Sequence, residues 1–331
     1  MSDKTVEPKT FGSIYDLAKQ TGVSASTVSR VLNQRGRIGQ ATRLKVLATA
    51  RTAGFRPRMT ARPTTIGVVI DRHRYTTFGG FVSCMLSHLV QALSGQDVAV
   101  EMFTEQNLSR IQDRLVDGVL ALAWDDGTIE LLRRLKDVPV VTLNRMDLTD
   151  FSAVATDHRA DGALAVDYFA QHGHQRMTII TEEPGHWGAN ERVAGFMARH
   201  HELGLPESDV SVAYTQHQPM YGLLRRLLVV KPTALFVAGE HMALEATYIL
   251  KDMLGVKIPQ ELSLIGMESA QVSPFLSPPL TAITQPLEEL ASKALDLLLS
   301  QINNGTCGGQ RILLKNQLIE RESVATLVTP A

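Results

Sequence analysis

The stretch from Ile14 to Asn33 limits what this chain can fold into more tightly than any other. It reads as two short helices joined by a tight turn. Ser13 is placed to cap the first helix, with Asp16 near its favourable N-terminal end. Ile14, Leu17 and Ala18 recur at helical spacing, so their face is expected to be buried. Gly22 falls where the chain must reverse, a position that tolerates few other residues. Ser24 is placed to cap the second helix, whose Val28, Val31 and Leu32 point inward. Ala25, Ser26, Thr27, Ser29 and Arg30 are left outward: small or hydroxyl-bearing residues and one arginine, with no acid. Such a face suits a helix lying in the DNA major groove, N-terminal end towards the bases. The plainer reading is an ordinary amphipathic helix pair.

Charge separates this head from the rest. Through Arg62 the chain holds 12 Lys and Arg against 3 Asp and Glu; the remainder holds 21 against 31. A basic head on an acidic body implies a polyanion partner for the head alone. Cys84 and Cys307 lie far apart and neither belongs to a C-x-x-C pair, as expected of buried or idle thiols in a reducing compartment. No apolar run approaches the roughly 18 residues that span a bilayer, and the polar N-terminus has no signal-peptide core. A cytoplasmic protein without a membrane partner is expected.

These residues closely resemble the LacI/GalR family of bacterial transcription regulators, whose opening helix-turn-helix carries D-x-A-x-x-x-G-V-S-x-x-T-V-S-R-V-L-N with variation. Here the pattern stands as Asp16, Ala18, Gly22-Val23-Ser24 and Thr27-Val28-Ser29-Arg30-Val31-Leu32-Asn33. A third helix is expected over 40–53, with Leu44, Leu47 and Ala50 inward, and Gly54-Phe55-Arg56-Pro57 matches the family's closure of the head. The linker departs from the family. Relatives continue with a hinge, roughly N-x-x-A-R-x-L, whose paired helices enter the minor groove and wedge a leucine between base pairs. Here Ala61-Arg62 matches, but Pro63 follows, Thr64 takes the leucine position, and the first strand starts several residues early. Proline ends a helix there, and the apolar wedge is missing unless Met59 replaces it. Little or no hinge helix, and weaker kinking of the DNA, are expected.

From Ile66 onward apolar runs alternate with helical patterns, the signature of a parallel α/β sheet. Strands are predicted at 66–70, 98–103, 118–123, 138–143, 177–181, 234–237 and 262–267. Helices are predicted at 81–93, 109–115, 129–135, 160–172, 190–203, 221–230, 242–254 and 287–302. Val116-Asp-Gly-Val119, Gly173-His174, Arg192-x-x-Gly195-Phe196, Pro259-x-x-Leu262-Ser-Leu-Ile-Gly266, Pro279-Leu-Thr-x-Ile-x-Gln-Pro286 and Glu320-Arg-Glu-Ser323 match family landmarks. The resemblance implies an all-α helix-turn-helix head followed by a periplasmic-binding-protein-like body of two α/β lobes that dimerises and binds a small effector. The expected division is a flexible leader 1–12, a DNA-binding head 13–57, a shortened hinge 58–65 and an effector-binding and dimerisation body 66–331. Within the body, lobe one is about 66–155 and 284–312, and lobe two about 156–283 and 313–331.

In open sheets, ligands bind beyond the carboxyl ends of the strands. Arg192 matches the family arginine that commonly bonds the effector, although an ion pair with Glu191 or a neighbour is the plain alternative. Glu268 and Glu240 stand where relatives usually have Asp after a strand; Glu240 could instead stabilise the start of the following helix. Asn144 ends a strand where an acid is common, Gln285 matches the family's Gln-Pro pair at the lobe crossover, and Asp71 ends the first strand. Trp124 and Trp187 are open between stacking on a sugar ring and packing. On the outward face of the second helix, Arg30, Ala25 and Ser26 are expected at base edges, with Arg30 reading guanine, and Ser24, Thr27, Ser29 and Asn33 are expected to position the helix on phosphates.

The function implied is a homodimeric, sequence-specific DNA-binding regulator, usually a repressor, tuned by a sugar or related metabolite. The competing class is an enzyme or plain ligand-binding protein whose basic head anchors nucleic acid non-specifically. Against it, no Walker loop, G-x-G-x-x-G, G-x-S-x-G or histidine cluster at metal-ligand spacing occurs, so no cofactor, metal or catalytic residue is expected. His174 is read as a structural histidine.

Overall fold

The computed structural model describes residues 13–32, 38–53, 55, 63–71, 80–182, 186–215, 218–268 and 272–327. The expected leader 1–12, Asn33 and the expected hinge over 58–62 lie outside the described residues.

The head holds α1 (Ile14–Thr21), α2 (Ala25–Leu32) and α3 (Gln40–Thr52). Ser13 Oγ accepts from the Asp16 N–H at 3.3 Å and donates to Asp16 Oδ2 at 2.9 Å, so the cap is reciprocal. Gly22 closes α1 at φ 71°, in the left-handed region that favours glycine. Leu17, Val28 and Val31 are fully buried against Val46, Leu47 and Ala50 of α3. Full burial of each large side chain is worth about 1.5–3 kcal/mol, the main support for so small a unit. Leu44 departs from its expected inward position: it is exposed, and Val46 takes its place in the core. Leu115 of the body packs against the same cluster.

The body contains two six-stranded sheets. The first has order β11-β5-β4-β3-β1-β2 and is wholly parallel. Its strands are β1 (Thr64–Ile70), β2 (Val98–Thr104), β3 (Gly118–Leu122), β4 (Val140–Leu143), β5 (Ser152–Thr156) and β11 (Arg311–Leu314). Helices α4 (Phe81–Ser94) and α10 (Leu287–Asn304) cover one face through Met85, Leu89, Leu290 and Leu298, and α5 (Asp126–Arg133) joins the core on the other.

The second sheet has order β12-β10-β9-β8-β6-β7. It comprises β6 (Met177–Thr181), β7 (Val210–Tyr214), β8 (Ala234–Val237), β9 (Ser263–Glu268), β10 (Thr281–Thr284) and β12 (Gln317–Ile319). All pair in parallel except β12, which runs antiparallel to β10. It packs with α6 (His158–Gln171), α7 (Trp187–Glu202), α8 (Met220–Val230) and α9 (Glu240–Tyr248). The backbone therefore passes between sheets after β5, after β10 and after β11.

Two kinds of element differ from expectation. The predicted helix 109–115 is a 3-10 turn, Leu108–Asp113, too short to repay helix nucleation. Strands β5, β7, β10, β11 and β12 stand outside the predicted set; each is a run of three to five residues, too brief for a clear apolar pattern.

Candidate functional site

The head presents α2 at its surface. Ser24 Oγ accepts from the Thr27 N–H at 3.1 Å and lies 2.8 Å from Thr27 Oγ1, so both hydroxyls hold the helix start. Ser26 and Arg30 are exposed, Ala25, Thr27 and Ser29 half-buried, and no acid stands on the helix.

The second site is a cavity of about 620 Å³ between the sheets. Its wall is made where strands end: Trp124 after β3, Asn144 after β4, Thr181 and Glu182 at β6, Ala238 to Glu240 after β8, Met267 of β9 and Gln285 after β10. Phe81 of α4, His158 of α6 and Arg192 of α7 complete it. Strand carboxyl ends from both sheets converge there, as open α/β sheets favour.

Of the six residues expected to meet a ligand, four line this cavity: Asn144, Arg192, Glu240 and Gln285. Asn144, at φ 54°, accepts from the Thr156 N–H at 2.9 Å and donates through Nδ2 to Gln285 Oε1 at 2.9 Å. Gln285 Oε1 also lies 3.2 Å from Thr156 Oγ1. Glu240 opens α9 in its first turn, where a carboxylate meets the positive end of the helix, and is buried.

Asp71 and Glu268 do not stand among the lining residues, and their partners say why. Asp71 Oδ2 accepts from the N–H groups of Trp124 and Asp125, both at 2.7 Å, and so holds the turn after β3. Glu268 is 1% exposed, accepts from Arg321 Nη2 at 2.8 Å and from the Ser273 N–H at 3.1 Å. Both carboxylates are engaged in holding backbone and a guanidinium.

Arg192 has a partner other than the Glu191 considered from sequence. Its Nε donates to Asp161 Oδ2 at 3.1 Å and its Nη2 to His158 Nδ1 at 2.9 Å, while Asn316 donates to Asp161 Oδ1 at 2.6 Å. Glu191 faces Arg159 instead, at 3.9 Å. Burial opposes ionisation of Asp161, yet its polar partners, the Arg192 guanidinium and the Asn316 amide among them, hold the carboxyl below its usual range. Burial, then the Arg192 charge, push the His158 ring down to about 4.

This cluster exists because α6 and α7 cross at two glycines. A Cβ on Gly195 would lie 1.8 Å from the Arg159 carbonyl oxygen, and one on Gly162 2.1 Å from that of Arg192. His158 and Asp161 were not selected from sequence; their spacing of three at a helix start was the available signal. Trp187 lies with its ring centroid 5.1 Å from that of His158, and Trp124 meets Phe81 edge-on at 6.4 Å. His174 is buried with Nε2 2.9 Å from the Ala325 carbonyl. Both cysteines are free thiols pushed above their usual range, first by burial. Among the described residues no group of three or more His, Cys, Asp or Glu is arranged to hold a metal, and no helix is long and apolar enough to cross a membrane.

Known proteins agree with this architecture. Residues 13–58 match the model of bacterial regulatory proteins of the lacI family, and residues 166–324 that of a periplasmic binding protein-like domain. The chain is 27% identical over 334 residues to the HTH-type transcriptional repressor PurR of Pasteurella multocida, covering 95% of this chain and 99% of that protein. It is 28% identical over 331 residues to the ribose operon repressor of Escherichia coli K12, covering 95% and 100%. Among solved structures, the complex of the transcriptional regulator CelR with cellobiose superposes with a TM-score of 0.70 at 25% identity, covering 95% of this chain and 100% of that one. With a helix-turn-helix head and a two-lobed periplasmic-binding-protein-like body, this chain belongs to the LacI/GalR family of bacterial transcription regulators.

Proposed function

We propose that this protein is a cytoplasmic homodimer that binds a pseudo-palindromic operator through its paired heads, represses transcription, and responds to a sugar or related metabolite in the inter-lobe cavity. The observation that carries this reading is the pairing, in one chain, of an exposed acid-free α2 with a cavity at the strand ends into which Asn144, His158, Arg192, Glu240 and Gln285 converge. The PurR and ribose operon relatives are repressors by name, and CelR was solved with cellobiose. Arg30, Ala25 and Ser26 reach base edges; Ser24, Thr27, Ser29 and Asn33 position the helix on phosphates. Asn144, Arg192, Glu240 and Gln285 meet the effector. Its binding favours one of two lobe arrangements and so alters head spacing. The shortened linker carrying Pro63 bends the operator less than a hinge helix does; a bend equal to that of hinge-helix relatives would overturn this part.

The test is selection of sites from fragmented genomic DNA with the purified full chain. An enriched pseudo-palindrome is expected, released or tightened by one of a panel of pentoses, hexoses and disaccharides. Salt-sensitive binding without any enriched sequence would overturn it.

A further inference from the structure

We infer that His158 is a specificity-determining residue of the cavity: a neutral ring protonated on Nε2 alone, which donates a hydrogen bond to an acceptor oxygen of the bound molecule. This rests on reading the cavity as the effector site.

The tautomer follows from Arg192. A guanidinium has only donors, so the nitrogen that it meets must accept. Arg192 Nη2 lies 2.9 Å from His158 Nδ1, whereas Asp161 Oδ2 and Thr156 Oγ1 are each at 3.4 Å from the same nitrogen. A proton on Nδ1 would set two N–H groups head to head. The proton of the neutral ring is therefore on Nε2. The ring's lowered affinity for a second proton agrees with this.

The Nε2 edge is open by virtue of a glycine. A Cβ on Gly188 would lie 2.9 Å from His158 Cδ2 and 3.1 Å from Nε2, and Gly188 itself lines the cavity. Among the described residues, no hydrogen-bond partner meets Nε2. Gln285 adds a second donor on this side. Its Oε1 is taken by Asn144 and Thr156, which leaves the amide NH2 for the cavity. Thr156 Oγ1 touches both residues, so the two donors are neighbours. An oxygen that accepts two hydrogen bonds fits there: a ring or glycosidic oxygen, a carbonyl, or a hydroxyl turned to accept.

The test uses the full chain labelled with ¹⁵N-histidine, with His158 assigned by the loss of its signals in His158→Gln. The nitrogen spectrum should show a bare Nδ1 and a protonated Nε2; a proton on Nδ1 overturns the inference. In calorimetric titrations with D-ribose and with cellobiose, His158→Asn keeps an acceptor near Arg192 but removes the cavity donor. It should weaken binding about ten-fold or more. His158→Gln places an amide N–H near the Nε2 position and should stay within about three-fold. Gly188→Ala, whose methyl covers the edge and presses on Cδ2, should weaken binding like His158→Asn. His158→Asn and Gly188→Ala variants that both bind as wild type overturn the inference. If wild type binds neither sugar, the carbohydrate reading fails instead, and the nitrogen spectrum decides the tautomer by itself.

Discussion

Arg192 and Asp161 form an ion pair of 3.1 Å in the wall of the cavity, the carboxylate fully buried and the guanidinium 12% exposed. The guanidinium that the cavity offers is therefore aimed from α6 before any ligand arrives. Asp161→Asn removes the charge while keeping the shape, and leaves Arg192 uncompensated. Loss of one partner from such a pair costs about 3–5 kcal/mol. A lowered Tm together with weaker sugar binding is expected by calorimetry. Unchanged binding at unchanged stability would show that the pair does not position Arg192.

Acid should destabilise the protein through His158. Its folded-state affinity for protons is reduced, to a value of about 4 from 6.5, so between these pH values the unfolded chain binds more protons. Stability then rises with pH across this window and is lost as pH falls through it. Arg192 opposes protonation, while Asp161 and Asp157 favour it. Thermal melts of wild type should fall between pH 6.5 and 4 more steeply than those of His158→Gln. Parallel slopes would exclude His158 as the source.

Gly195→Ala tests the crossing of α6 and α7. The added methyl would meet the Arg159 carbonyl at 1.8 Å, and a backbone neighbour cannot rotate away as a side chain does. Overpacking of this kind costs about 1–3 kcal/mol or more. Because Arg192 rides on α7, sugar affinity should fall with Tm. A variant with wild-type Tm would mean that the helices separate freely.

Glu268 separates support from binding. Its carboxylate is held by Arg321 at 2.8 Å and by the Ser273 N–H, away from the cavity wall. Glu268→Ala should cost about 3–5 kcal/mol, since it strands Arg321 in a mostly buried position. Sugar affinity, measured below the lowered Tm, should stay near that of wild type. A large loss of affinity without loss of stability would return Glu268 to the site.

Arg30→Ala should cost about 1–3 kcal/mol on the specific DNA site and relax one base position. Competition binding against single-base operator variants checks it. A uniform loss across all sequences would identify Arg30 as a phosphate contact instead.

The head was legible from sequence because everything that builds it is local. Caps act over three residues, as Ser13 with Asp16 and Ser24 with Thr27 do, and the 3.6-residue period sets which face is buried. Even there one position of α3 departs: Leu44 is exposed, and Val46 joins the expected Leu47 and Ala50 in the core. Alternating apolar runs likewise announced a parallel α/β body, but β5 and β7, short and weakly apolar, become strands only when neighbours in the sheet pair with them.

Of the four candidates that line the cavity, Asn144, Glu240 and Gln285 follow strands, whose ends in such sheets face the ligand crevice, whereas Arg192 sits on α7 and is legible only through the family resemblance. Tertiary structure decided the rest. Asp71 meets amides 53 and 54 residues away, Glu268 an arginine 53 away, and Arg192 a histidine and an aspartate 34 and 31 away. A buried charge must find a partner wherever packing supplies one. That choice depends on which helices can approach closely, and here two glycines, Gly162 and Gly195, determine it. Sequence by itself determined the head, the alternation of strand and helix, and the strand ends where a ligand would lie. The assignment of Arg192 to Asp161, and with it the donor edge of His158, belongs to the packing of α6 on α7.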